Sequence, residues 1–313
     1  MRVEGTENVA AVVVTYNPGD RFNTLMDALR PRVGGIWVID NGSRQPGLDR
    51  VQSCRTDGSG DGAVVELILN PNNRGLAAAQ NQGITAVMDA GFKWVLLMDQ
   101  DGVPDTDMVP ELLGAAKRDP DPGGIGILAP MHGDERGLPA APVYSRGPWG
   151  ILRRRVVEPG EVEKNAAFAM ASGCLISLAC IPVVGSMNED FFIDYIDYDF
   201  SFRVRRAGYR IVVVGAARLS HNLGKVGETK ILGKTFRYRE HSPDRWYTIY
   251  RNRVRVFLSG GCRFPEFIQF EVLSVGKDLV QLPLRKCGKG ARFRAMLEGV
   301  LDGFRRRGGP RKS

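Results

Sequence analysis

Cysteine and histidine are both scarce in this 313-residue chain, at five and three residues. Cys54, Cys174, Cys180, Cys262 and Cys287 are scattered, odd in number and without a Cys-x-x-Cys pair, so reduced thiols in a cytoplasmic setting are expected. Long apolar runs are also missing, and neither a membrane span nor a secretory signal peptide is read. No Gly-x-x-x-x-Gly-Lys or Gly-x-Gly-x-x-Gly loop follows a strand-like segment, which argues against a P-loop kinase and a dinucleotide-dependent oxidoreductase.

What the chain does have is positive charge, with 43 Lys and Arg against 35 Asp and Glu. The excess gathers late, from Arg285 to Lys312, interleaved with Phe293, Leu297, Val300, Leu301 and Phe304. Such a basic amphipathic segment suits an anionic membrane surface, or else a solvated helix with a basic end. No nucleic-acid-binding module accompanies it, so nucleic acid is not an expected partner. The apolar fraction, 43%, is ordinary for a globular protein of one large or two closely joined domains.

The first half alternates strand and helix. The β-branched run Val9-Ala10-Ala11-Val12-Val13-Val14 ends at Thr15-Tyr16-Asn17-Pro18 and reads as a buried strand closed by a turn. Residues 20–29 place Phe22, Leu25, Met26 and Leu29 on one helical face. Strands at 36–39 and 64–69 follow, then a small-residue helix at 77–90 and a strand ending in Asp99-Gln100-Asp101. This order predicts a mainly parallel sheet with helices on both faces. Ligands in such folds collect outside the carboxyl ends of strands, where two carboxylates one residue apart can hold Mg²⁺ or Mn²⁺ and leave coordination sites for phosphates. At the same rim, the Tyr16 ring can stack on a nucleobase or plug a strand end. Asp40 can accept hydrogen bonds from base or ribose or cap a turn, and Arg74 can meet phosphate or remain a solvated loop charge.

Taken together, Val14-Thr15-Tyr16-Asn17, Asp40-Asn41-Gly42-Ser43, Asn73-Arg74-Gly75-Leu76-Ala77 with Asn81-Gln82-Gly83, and Asp99-Gln100-Asp101 resemble the ordered motifs of GT-A-fold, family 2 glycosyltransferases. The block from Asn188 to Tyr209, containing Phe191-Phe192-Ile193-Asp194-Tyr195-Ile196-Asp197, resembles the acceptor-side motif of the same family in its rhamnosyltransferase variant. Tyr247-x-x-x-Arg251-Asn252 and the segment Gly299-Val300-Leu301-Asp302-Gly303 extend that likeness nearly to the end.

The resemblance implies a GT-A domain over residues 1–225, with a nucleotide-sugar half (1–105) and an acceptor half (106–225). A C-terminal helical basic region would occupy 226–313. It implies donor and acceptor contacts from Thr15, Tyr16, Asn17, Asp40, Asn41, Asn73, Arg74, Gly75, Asn81, Asp99, Asp194 and Arg251. Asp99, Asp101 and His221 would form the divalent-metal shell, and Asp197 would be the catalytic base, with Asp194 and Asp190 as rivals. His132 and His241 lack such a context. The expected activity is inverting transfer of L-rhamnose from dTDP-rhamnose to a lipid-linked saccharide at the inner face of the plasma membrane. Another UDP- or GDP-hexose donor is the alternative, and a non-catalytic nucleotide-binding membrane protein is the reading from outside the class.

Between the motifs, residues 121–124 and 133–148 read as loops and 166–178 as a small-residue strand. Strand-like runs at 210–214 and 217–219 precede His221. Trp149 is either an acceptor platform or core. Ser242-Pro243 starts a helix running past Arg251.

Overall fold

The computed structural model describes residues 4–56, 62–133, 140–221, 226–231, 234–283, 285 and 288–311, with backbone alone for those between 221 and 239. In chain order the elements are β1 (Val9–Thr15), α1 (Arg21–Leu29), β2 (Gly35–Asp40), α2 (Gly47–Ser53), β3 (Val64–Leu69), α3 (Leu76–Asp89), β4 (Trp94–Asp99), β5 (Gly102–Pro104) and α4 (Met108–Arg118). Then come β6 (Ile125–Gly133), β7 (Val143–Arg146), β8 (Leu152–Arg155), β9 (Val162–Glu163), β10 (Leu175–Ser177), α5 (Ile181–Val184), α6 (Ile196–Arg206), β11 (Arg210–His221), β12 (Val226–Ile231), β13 (Lys234–Arg239), α7 (Pro243–Leu258), α8 (Pro265–Gln281) and α9 (Lys289–Phe304).

The large sheet runs β3-β2-β1-β4-β10-β6-β11-β5. Its first four strands are parallel, as the alternation of strand and helix requires. Strand β1 shows why helices cover both faces. Val9, Ala11 and Val13 pack with Phe22, Leu25 and Leu112 on one side, while Ala10 and Val12 pack with Ala79, Ile84 and Val87 on the other. Helix α3 approaches β1 so closely that a Cβ at Gly83 would lie 2.4 Å from Val12. This is why the helix is built from small residues.

Beyond β4 the sheet becomes mixed. β10 pairs antiparallel with both β4 and β6, and β5 and β9 pair antiparallel with β11. The expected strand over 166–178 shrinks to β10, because Gly173 adopts φ +83° and Ala166 and Ala167 enter the core as irregular chain. The runs 210–214 and 217–219 are one strand with a register shift between Val214 and Arg218. The loop expected at 133–148 contains β7, which forms a hairpin with β8.

The helical region expected over 226–313 begins instead with the β12–β13 antiparallel pair, and its helices α7 to α9 pack directly on the sheet domain. Helices α7 and α9 meet backbone to backbone: a Cβ at Gly299 would lie 2.4 Å from the Tyr247 carbonyl, and one at Gly303 would lie 2.8 Å from that of Arg251. Asp302, between the two glycines, accepts from the Tyr247 hydroxyl at 2.9 Å.

Candidate active site

The sheet topology brings the motifs to one rim. β1, β2 and β4 end in Thr15, Asp40 and Asp99, with Asp40 opposite Thr15 and Asp99 opposite Val14 in register. Tyr16 is half exposed just past β1, and Gln100 fastens it to the Asp99-Gln100-Asp101 turn. The Gln100 Oε1 accepts from the Tyr16 amide at 2.7 Å and its Nε2 donates to the Tyr16 carbonyl. Gln100 was missed as a site residue because an amide between two aspartates carries no charge signal.

Several expected contact residues form the scaffold of this rim. Asp40 and Thr15 are buried. The Asp40 carboxylate accepts from the Thr15 hydroxyl at 2.9 Å and from the Ser43 amide and hydroxyl, and Ser43 in turn accepts from the Asn17 amide. Asn41 donates to Asn73 and to the Gly75 carbonyl, and accepts from the Arg74 amide at 3.0 Å. Asn81 ties α3 to Met187 and Glu189. Tyr16 and Arg74 are exposed on the surface so held.

Gly75 joins the two motif blocks. It adopts φ +91°, and a Cβ there would strike Phe192 at 2.7 Å, while the next amide, of Leu76, donates to the Phe192 carbonyl at 2.6 Å. On the other side of that junction, Phe192, Asp194 and Tyr195 all have positive φ, an arrangement unfavourable for residues with side chains. Buried Asn252 holds the strained turn by donating to the carbonyls of Phe191, Ile193 and Asp194 at 2.8 to 2.9 Å. Arg251 differs from expectation. It is fully buried, with its guanidinium on Asn252 and on the carbonyls of Asp190, Phe191 and Gly309, so it supports the turn and has no open face toward a substrate.

The acidic block sorts its four aspartates by partner. Asp190 pairs with Arg255 at 2.7 Å, Asp194 with Arg245 at 2.9 Å and Asp199 with Arg203 at 2.8 Å. Asp197, in the first turn of α6, has no guanidinium partner among the described residues and accepts from the Tyr198 amide at 3.0 Å. Burial pushes its carboxyl up to about 7, and the negative charges of Asp194 and Asp99 add to the shift. Arg245, which the sequence reading also missed, feels Asp99 as well as Asp194, placing it between the two acidic clusters.

Asp99 and Asp101 flank the end of β4, with the Asp99 amide donating to the Ser172 hydroxyl and the Asp101 carbonyl accepting from Arg21. No group of three metal-binding side chains occurs among the described residues. The His221 side chain lies outside them, but its backbone ends β11 opposite Gly102, the residue after Asp101. Asp99 and Asp101 offer hard carboxylate oxygens one residue apart, and with His221 across the ladder they are the residues that would hold a divalent ion such as Mg²⁺ or Mn²⁺.

The chain resembles known proteins in sequence and in fold. The family described as Glycosyl transferase family 2 matches residues 10–177, more than half of the chain. The chain is 27% identical to dTDP-rhamnosyl transferase RfbF of Shigella flexneri over 246 residues, 78% of each chain. It is 26% identical to N-acetylglucosaminyl-diphospho-decaprenol L-rhamnosyltransferase of Mycobacterium tuberculosis over 249 residues, 69% of this chain and 76% of that one. Among solved structures it resembles GalNAc-T7 with UDP, GalNAc and Mn²⁺, with a TM-score of 0.55 and 17% identity over 82% of this chain and 48% of that one. It also resembles the mannosyltransferase PcManGT of Pyrobaculum calidifontis in complex with GDP-Man and Mn²⁺, with a TM-score of 0.54 and 14% identity over 95% of this chain and 85% of that one. At such identities the structural likeness is one of fold, and that fold is GT-A.

Proposed function

Since the chain belongs to glycosyl transferase family 2 and is a rhamnosyltransferase-like glycosyltransferase, we propose that it transfers L-rhamnose from dTDP-rhamnose to a lipid-linked saccharide with inversion at the anomeric carbon. The observation that supports the mechanism is the partner pattern of the acidic block. Among the described residues Asp197 alone of the four aspartates has no guanidinium partner, and its carboxyl is raised to about 7, so it can take a proton near neutral pH. The Asp197 carboxylate removes the acceptor hydroxyl proton as that oxygen bonds to the anomeric carbon. The bond from that carbon to the nucleoside diphosphate breaks on the opposite face, which inverts the centre.

Tyr16 and Arg74 contact base and phosphates at the rim. Asp99, Asp101 and His221 would hold Mg²⁺ or Mn²⁺, which would offset the charge developing on the departing diphosphate. The donor sugar follows the names of the two rhamnosyltransferase relatives, and the lipid-linked acceptor that of the mycobacterial one. The outer side of α9 supports contact with an anionic membrane, since Phe293, Leu297, Leu301 and Phe304 are exposed next to Arg294 and Arg305.

A donor-hydrolysis screen over dTDP-, UDP- and GDP-sugars with added divalent metal tests the reading. Turnover of dTDP-rhamnose supports it. Turnover of a UDP- or GDP-hexose alone replaces the donor, and silence with every donor removes the enzymatic reading.

A further inference from the structure

Helix α8 turns Phe267, Phe270 and three acidic residues inward and leaves an aliphatic face outside. Glu266 is fully buried and pairs with Arg205 at 2.7 Å, Glu271 accepts from the Tyr195 hydroxyl and pairs with Arg253, and Asp278 accepts from the Tyr250 hydroxyl. On the outer face Val272, Leu273, Leu279 and Val280 are 66%, 67%, 50% and 68% exposed. A helix on a water-facing surface shows the reverse order, and a contiguous exposed aliphatic face marks an interaction site.

The β7–β8 hairpin adds to this face. Gln269 of α8 donates to the Gly150 carbonyl at 2.9 Å and accepts from the Leu152 amide at 3.2 Å, fastening the hairpin tip to the start of the helix. At that tip Trp149 has φ 60° and is 96% exposed, with half-exposed Ile151 two residues on. Trp149 is therefore not part of the core. Arg146, Arg153 and Arg154 on the hairpin strands are exposed, and no ion pair holds them among the described residues.

We propose that the outer face of α8 and the Trp149 tip dock together on an anionic lipid bilayer. The indole would sit at the interface, the aliphatic side chains just below the headgroups, and the hairpin arginines against lipid phosphates. The attachment is peripheral, because no helix among the described residues is long and apolar enough to cross a membrane. A second copy of the chain fits less well, because a two-fold pairing through this face would gather the arginines of two hairpins at one interface. The proposal deepens the lipid-linked acceptor reading and rests on it for its purpose, although the binding itself needs neither donor nor acceptor.

The test is flotation of the full chain with vesicles of phosphatidylethanolamine and phosphatidylglycerol, beside vesicles of phosphatidylcholine, with no sugar nucleotide present. Binding to the anionic vesicles is expected, with tryptophan emission quenched by brominated lipid in the wild type and much less in Trp149→Phe. The Val272→Ser/Leu273→Ser/Val280→Ser variant should bind at least tenfold more weakly, and Arg153→Ser/Arg154→Ser about fivefold more weakly per arginine. Both should hydrolyse donor in solution at the wild-type rate. Undiminished vesicle binding by the aliphatic variant would overturn the proposal, as would quenching independent of Trp149 or a lipid-free dimer that the aliphatic substitutions dissociate. Intact docking in a protein that hydrolyses no donor would refute the catalytic reading alone.

Discussion

Arg245 grips Asp194 with both arms of its guanidinium, Nε and Nη2 donating to the two carboxylate oxygens at 3.1 and 2.9 Å. That pairing offsets a negative charge that otherwise bears on Asp197. Replacing Arg245 by alanine leaves the Asp194 charge uncompensated, so the acid limb of kcat/KM should move upward from about 7, while Arg245→Lys should restore part of the shift. A pH profile of both variants checks this, and an unmoved limb would separate Arg245 from the titration of the base.

Asp197→Asn should lower transfer roughly 10²- to 10⁴-fold and leave donor binding near the wild-type value, since only proton abstraction is lost. Asp194→Asn should cost less. If the two variants behave the other way round in single-turnover transfer and donor titration, Asp194 is the base.

The same substitution has a stability signature of opposite sign. The folded-state carboxyl of Asp197 is raised from an ordinary 3.8 to about 7, so between those values the folded chain binds the proton more tightly than the unfolded one. Stability from this group is therefore full below about 4 and is lost as pH rises through 7. Asp197→Asn removes the buried charge, and its Tm should exceed that of the wild type by a few degrees at pH 8 but not at pH 4. Scanning calorimetry at both values, without metal or nucleotide, decides it.

Asp99→Asn and Asp101→Asn should each abolish turnover that depends on added Mg²⁺ or Mn²⁺, because each removes a formal charge facing the diphosphate. Full activity of both variants at saturating donor, measured by nucleotide release, would sink the metal assignment.

The strand ends that carry Thr15, Asp40 and Asp99 were legible because β-branched runs closed by turn residues have one physical reading, and the parallel pairing of β1, β2 and β4 follows from it. Their roles were less legible. Asp40, Asn41 and Asn81 look like ligands in a list of polar rim residues, yet each has its hydrogen-bonding groups engaged within the protein. Nothing local in the sequence tells a polar side chain that faces a carbonyl from one that faces a cleft. Arg251 escaped for the same reason, since its burial depends on α9 and the chain end folding over α7. The inside-out face of α8 was invisible until the arginines opposite Glu266 and Glu271 were placed by the fold.

The basic tail supplies the last prediction. Read as a sequence it is a basic amphipathic segment that suits an anionic membrane surface or else a solvated helix with a basic end, and on the first reading its removal would weaken action on a lipid-embedded acceptor more than on a soluble one. The structure ties it to the acidic block instead. The Gly309 amide donates to the Asp190 carbonyl at 3.1 Å, Arg255 donates to the Arg307 carbonyl, and Arg311 pairs with Asp244 at 3.0 Å and with Glu298. Ala295 and Met296 are buried against Trp246 and Tyr247, so α9 completes a core that α7 cannot close alone. Truncation before Arg285 exposes that core and releases the turn that presents Asp194 and Asp197. The expected result is equal loss of transfer to soluble and lipid-embedded acceptors, with a Tm lowered by ten degrees or more in a circular-dichroism melt. A truncated chain that melts like the wild type and fails only on the lipid-embedded acceptor would return the tail to a membrane anchor alone.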